Sequence, residues 1–152
     1  MYKKVVILGL GNILLKDEGI GVHISEELTK LRLGDNIEII DGGTASLDAL
    51  IQTANFDKLV IVDALRAGKK PGTIYRFNSH QLHAHLDSRK LSLHQFSLLE
   101  ALSITEKTGN LPKEVIFIGV EPEKIDWGLE VSKSVKEKIP EIIKLVTQEL
   151  PN

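Results

Sequence analysis

Residues 5–21 read VVILGLGNILLKDEGIG. The opening run, Val5–Leu10, is apolar throughout and rich in β-branched residues, the pattern of a strand covered on both faces in a parallel sheet. Gly9 and Gly11 end it, and a short loop then delivers Asp17 and Glu18 to the start of a helix. Two later segments finish in the same way. IEII runs into Asp41-Gly42-Gly43-Thr44, and KLVIV runs into Asp63-Ala64. Three apolar strands thus each end on a carboxylate. In an open α/β sheet the carboxyl ends of the parallel strands line one crevice, where ligands bind. Glu18, Asp41 and Asp63 are therefore expected to meet there.

Working outward, residues 19–33 predict a helix, with Ile20, Ile24, Leu28 and Leu31 near helical spacing. Gly34-Asp35-Asn36 closes it with turn residues. Residues 37–40 are the second strand. Residues 46–53 form a short helix with Leu47, Leu50 and Ile51 on one face, and residues 59–62 are the third strand. This is a βαβαβ unit with right-handed crossovers. The pattern then changes. Lys69-Lys70-Pro71-Gly72 is a turn, and the β-prone run 73–77 follows a connection short enough to suit an antiparallel neighbour. Residues 78–90 are polar, and His80, His83 and His85 read there as a surface segment at the rim of the cleft. Ser92 and Gln95 form a capping box for a helix carrying Phe96, Leu98, Leu99 and Leu102. Residues 115–120 are the last strand. Residues 132–150 are a closing helix with Val135, Ile139, Ile142 and Val146 on one stripe, which Pro140 either kinks or restarts. The fold class is α/β: a three-layer α/β/α arrangement around a mostly parallel twisted sheet of about five strands with one antiparallel edge strand. Residues 1–152 read as one domain.

Composition narrows the function. A net charge of -2 without a basic stripe argues against binding to nucleic acid or an anionic membrane. With no cysteine there is no disulfide framework, thiolate zinc site or thiol nucleophile. No apolar run approaches the ~20 residues that span a bilayer. The N-terminal apolar run passes straight into a fold element, unlike a signal peptide. These features suit a cytoplasmic protein, and no dimer stripe displaces a monomer as the default.

The glycine turn Gly9-Leu10-Gly11-Asn12-Ile13-Leu14 matches two positions of the dinucleotide fingerprint and lacks the third glycine. Asp17 and Glu18 also occupy the helix N-terminus where a pyrophosphate would sit. Acidic residues there have a plain use, complementing the helix dipole, and Asp41 before Gly42-Gly43-Thr44 fits an Asx turn equally well. Asp63, bracketed by Val62 and Ala64-Leu65, is harder to explain structurally. Clustered carboxylates repel unless a cation joins them. His94, in the first turn of its helix, is the added candidate ligand, since the dipole there favours the neutral imidazole that binds metal. Carboxylates plus an imidazole suit nickel, zinc or manganese. There is no HExxH motif for a zincin and no GxSxG elbow for a serine hydrolase.

In order and spacing, GLGNILLKDEGIGV, IEIIDGGTAS, LVIVDAL, KLSLHQFSLLEAL and IFIGVEPE resemble the hydrogenase maturation endopeptidases over nearly the whole chain. The resemblance implies a protease, aspartyl-type or metal-dependent, that removes a C-terminal extension from the large-subunit precursor of a nickel–iron hydrogenase after nickel insertion. It places metal contact and catalysis on Glu18, Asp63 and His94, and substrate recognition on Asp41, Gly42 and Thr44. The nickel would arrive with the substrate, and no permanent cofactor is expected. Glu18, Asp63 and His94 are expected at a solvated cleft edge and not in the core. Two other readings compete: a nickel-handling chaperone that binds the precursor without cutting it, and a nucleotide-binding α/β domain.

Overall fold

The computed structural model describes residues 3–85 and 93–151. Its centre is β1 (Val5–Leu10), which pairs in parallel with β2 (Ile37–Gly43) on one side and β3 (Lys58–Ala64) on the other. β5 (Glu114–Val120) continues the parallel set beyond β3, and β4 (Ile74–Asn78) closes the sheet antiparallel to β5. The strand order is β2-β1-β3-β5-β4. The antiparallel edge strand follows β3 closely in sequence but does not pair with it, because β5 inserts between them.

Every residue of β1 and β3 is buried, as strands with helices on both faces require. Side chains alternate between two apolar layers. Val6, Leu8, Leu10, Leu59, Ile61 and Phe117 share one with residues of α2 (Ser46–Ile51) and α4 (Leu93–Lys107). Val5, Ile7, Val60, Val62, Ile116 and Ile118 share the other with α1 (Ile20–Thr29) and α6 (Ile139–Gln148). The start of α1 rests directly on the sheet backbone. A Cβ on Gly21 would lie 2.2 Å from the carbonyl oxygens of both Leu10 and Val62, so any larger residue would push the helix away. This contact sets the acidic turn before α1 against the carboxyl edge.

Several elements depart from expectation. α1 stops at Thr29. Lys30 and Leu31 donate to the carbonyls of Glu27 and Leu28 in a tightened last turn, and Leu31 is exposed. In α2 the inward face is Ser46, Ala49 and Leu50, while Leu47 and Ile51 face solvent. The small pair Gly42 and Ala49 sets this rotation, since a Cβ on Gly42 would sit 2.9 Å from that of Ala49. The polar stretch after β4 forms α3 (Ser79–His85). Gln81 N–H donates to Asn78 Oδ1 at 2.8 Å, and Asn78 N–H donates to Gln81 Oε1 at 2.9 Å. That reciprocal cap is legible in the sequence, and the reading above passed over it. His80, His83 and His85 are exposed, as expected of a surface segment. Ser92 of the expected capping box lies outside the described residues, and Phe96 of that helix is exposed. The closing helix is two helices, α5 (Lys133–Lys136) and α6, with Pro140 in the first turn of the second. Pro140 therefore restarts the helix, where its missing N–H has no partner to lose.

Candidate active site

The acidic turn is a 3-10 helix, Lys16–Gly19, and its two carboxylates have separate tasks. Asp17 is fully buried. Its Oδ2 accepts from the N–H groups of Glu123 and Lys124 at 2.8 and 2.9 Å and from the Ser132 hydroxyl at 2.7 Å. Its Oδ1 accepts from Ser132 N–H at 2.6 Å. Asp17 thus ties the strap formed by residues 121–132 across the sheet edge. The same strap bonds back to the turn through Lys16 N–H to Gly128 O and Gly128 N–H to Leu14 O, both at 2.9 Å. Glu18 is left half-buried beside the cleft. Gly11, at φ +133, makes room for it: a Cβ there would lie 1.9 Å from the Glu18 carbonyl oxygen and 3.5 Å from Asp63 Oδ1. The glycine turn serves this backbone packing, so its space is not open to a pyrophosphate.

Asp63 sits at the end of β3, opposite Gly119 of β5, and is 1% exposed. It is a buried residue, which corrects the expectation of a solvated edge. Its Oδ1 accepts from Ala64 N–H at 2.8 Å, and its Oδ2 lies 2.6 Å from His94 Nε2. His94 is the second residue of α4, and its side chain is 17% exposed. The Asp63 hydrogen bond raises the affinity of His94 for its proton, with the charges of Asp63 and Glu18 adding to the effect against partial burial. Burial pushes the Asp63 carboxyl up, and the His94 bond works against that. The pair therefore keeps a proton between Oδ2 and Nε2. The helix dipole favours the neutral ring, and the nearer Asp63 carboxylate works against it.

These side chains meet at a cavity of about 510 Å³ whose walls include Glu18, Thr44, Arg66, His94, Gln95 and Ile125. Asp63 is reached through His94. Among the described residues no group of three or more histidines and carboxylates is arranged to hold a metal. The donor set suits a borderline-hard ion, but Asp63 and His94 are bonded to each other. A metal would have to part them and displace the shared proton.

The recognition trio is divided. Asp41 is exposed on β2, and its Oδ1 accepts from Gly43 N–H at 3.0 Å where the pairing with β1 shifts register. That is an Asx turn at a bulge, and Asp41 does not line the cavity. It therefore does not join Glu18 and Asp63 as the strand-end argument expected. Gly42 packs instead, since a Cβ there would lie 2.8 Å from Leu10 Cδ2. Thr44 does line the cavity. None of His80, His83 and His85 is among its walls.

Two residues of this edge were missed by the reading above. Glu121 follows β5 as Asp41 and Asp63 close their own strands, so the strand-then-carboxylate pattern could have found it. It is buried, and its Oε1 accepts from Ala67 N–H at 2.9 Å, Lys69 N–H at 3.0 Å and the Tyr75 hydroxyl at 2.8 Å. Burial, then the Glu121 carboxylate, keeps the Tyr75 phenol protonated and donating. Arg66, on the loop that Glu121 holds, is the other.

Comparison with known proteins agrees with this architecture. A sequence model described as hydrogenase maturation protease matches residues 22–149. The hydrogenase 2 maturation protease of Escherichia coli (strain K12) is 40% identical over 138 residues, covering 90% of this chain and 84% of the relative. A hydrogenase expression/formation protein, HupD, from Rhizobium leguminosarum bv. viciae is 36% identical over 150 residues, covering 97% and 74%. Among solved structures, the hydrogenase maturating endopeptidase HybD from E. coli superposes with a TM-score of 0.84 at 37% identity, covering 94% of this chain and 89% of that one. The [NiFe] hydrogenase maturation protease HybD from Thermococcus kodakarensis gives 0.76 at 25% identity, covering 97% and 99%.

Proposed function

Because this chain belongs to the hydrogenase maturation protease family and is a peptide-bond hydrolase, we propose that it removes the C-terminal extension of a nickel–iron hydrogenase large-subunit precursor, recognising the nickel that the precursor carries. The observation that supports this most is the bonded pair Asp63–His94, set beside Glu18 at a cavity on the carboxyl edge of the sheet. In this reading Glu18, Asp63 and His94 receive the incoming nickel as substrate, so the protein needs no permanent cofactor. Asp41, Gly42 and Thr44 shape the recognition face, with Thr44 alone touching the cavity wall.

Peptide hydrolysis needs one group to take a proton from water and one to give a proton to the leaving amine. Glu18, the one carboxylate among the described residues that lines the cavity, is the proposed acceptor. Glu18 then passes that proton to the leaving amine, since the Asp63–His94 pair gives up its own proton when nickel binds. No described helix is long and apolar enough to cross a membrane. We place the reaction in the cytoplasm and assign it to a monomer, in keeping with a cysteine-free chain of low net charge.

The test is incubation with the cognate precursor, nickel-loaded and nickel-free, read by intact mass. Loss of the extension only from the loaded form is the expected result. Cleavage of both forms would remove nickel recognition from the proposal. Binding without any change of mass would replace proteolysis with a carrier role.

A further inference from the structure

The cavity also holds a cation that the proteolytic reading does not use. Arg66 follows β3 by two residues, lines the cavity with Glu18 and His94, and is exposed. Among the described residues it has no ion-pair partner, although Glu18 shares the cavity with it. Its neighbours strengthen the field: residues 66–70 read RAGKK, and residues 64–72 contain no acidic side chain.

The backbone beneath Arg66 is held from several directions. Leu65 N–H donates to Val120 O at 2.9 Å. The buried Glu121 carboxylate accepts from the N–H groups of Ala67 and Lys69. Gln95, from the helix that carries His94, donates to the Arg66 carbonyl at 3.4 Å. A buried carboxylate thus fixes a loop whose Arg66 side chain lines the cavity and has no ion-pair partner among the described residues. A structural arginine would be expected to show its partner, and this one shows none among the described residues. A guanidinium offers a planar fork of donors that matches a carboxylate in bidentate geometry.

We propose that Arg66 is a specificity residue that binds a carboxylate of the precursor's C-terminal extension, either an acidic side chain or the free terminal carboxylate. The inference rests on the endopeptidase reading above and adds which chemistry the substrate presents. Arg66 acts in binding, next to the reacting groups and not among them.

The experiment is steady-state processing of the nickel-loaded precursor by the wild-type protein, Arg66→Ala and Arg66→Lys. Arg66→Ala is expected to raise KM by about tenfold, the loss expected for a hydrogen bond to a charged group, with kcat little changed. Arg66→Lys should recover part of that loss, because it keeps the charge and not the fork. Two altered precursors distinguish the sources. If two glycines added beyond the natural terminus raise the wild-type KM as Arg66→Ala does, the ligand is the terminal carboxylate. If amide replacement of an acidic side chain in the extension does so, the ligand is that side chain. An unchanged KM for Arg66→Ala overturns the proposal, as does a KM that rises in the variant while neither altered precursor affects the wild type. If the wild-type protein cleaves nothing, the endopeptidase reading has failed, a result distinct from these.

Discussion

The two ends of the sheet treat charge in opposite ways. At the amino edge, Lys58 at the start of β3 is nearly buried and its Nζ reaches Glu149 Oε2 at 2.7 Å and Glu114 Oε1 at 3.3 Å. Lys3 adds a second bond to Glu114 at 2.7 Å, and Arg76 closes on Glu149 from β4. Each charge in this network has an opposite neighbour. At the carboxyl edge, Asp17 and Glu121 are saturated by backbone N–H groups, while Glu18, the Asp63–His94 pair and Arg66 face a cavity. The amino-edge network satisfies its charges internally. The carboxyl edge uses two carboxylates to hold a strap and a loop, and leaves the remaining groups for a substrate. Pairing separates the structural acids from the working ones more sharply than burial does, since Asp17 and Asp63 are both buried.

The sharpest way to break this contrast is to cut one bond at each edge. His94→Gln removes the imidazole bonded to Asp63 at the proposed nickel-receiving site and is expected to lower the processing rate about a hundredfold or more, while the urea midpoint stays close to that of the wild type. Asp63→Asn should do the same, with the amide keeping the buried shape. Lys58→Met has the opposite profile. It removes the cation from a lysine and glutamate whose side chains are 8% and 10% exposed, and should cost about 2 kcal/mol of stability, held below the usual cost of breaking a buried pair because Arg76 remains. Its processing rate per folded molecule should match wild type. If Lys58→Met impairs processing without destabilising, or His94→Gln unfolds the chain, the division between the two edges is wrong.

The sequence shows much of this contrast, and the gaps have physical causes. Apolar runs ending on Asp63 and Asp41 located the parallel strands and the edge that binds ligand, because burial on both faces leaves an unbroken hydrophobic signal. The same logic misplaced Asp41. A strand end fixes where the backbone stops but not whether the side chain turns inward, and here an Asx turn at a bulge keeps it outside. Asp17 and Glu18 are adjacent and chemically alike, so only the strap across the edge separates them. That strap, residues 121–132, has no periodicity to read. His94 was placed correctly on its helix, but its bond to Asp63 was not legible, since the dipole argument used local sequence and that carboxylate is 31 residues away. The restart at Pro140 was one of two outcomes the sequence allowed.

The smallest effect concerns acid. The Arg76 hydrogen bond, followed by those from Lys58, holds the Glu149 carboxyl below its usual range, against a desolvation cost. Lys3 and then Lys58 do the same for Glu114. A carboxylate with a lowered folded-state pKa binds protons more readily in the unfolded chain. Its stabilisation is therefore complete above the unfolded glutamate value of about 4.3 and is lost as pH falls through the lower folded value. Urea unfolding followed from pH 6 downward should show stability declining below about pH 4.3, and the decline should be shallower in Lys58→Met, which has already lost part of the network. Equal slopes in the two proteins would mean that the amino-edge network is not what acid dismantles, and that other carboxylates of the fold carry the acid sensitivity.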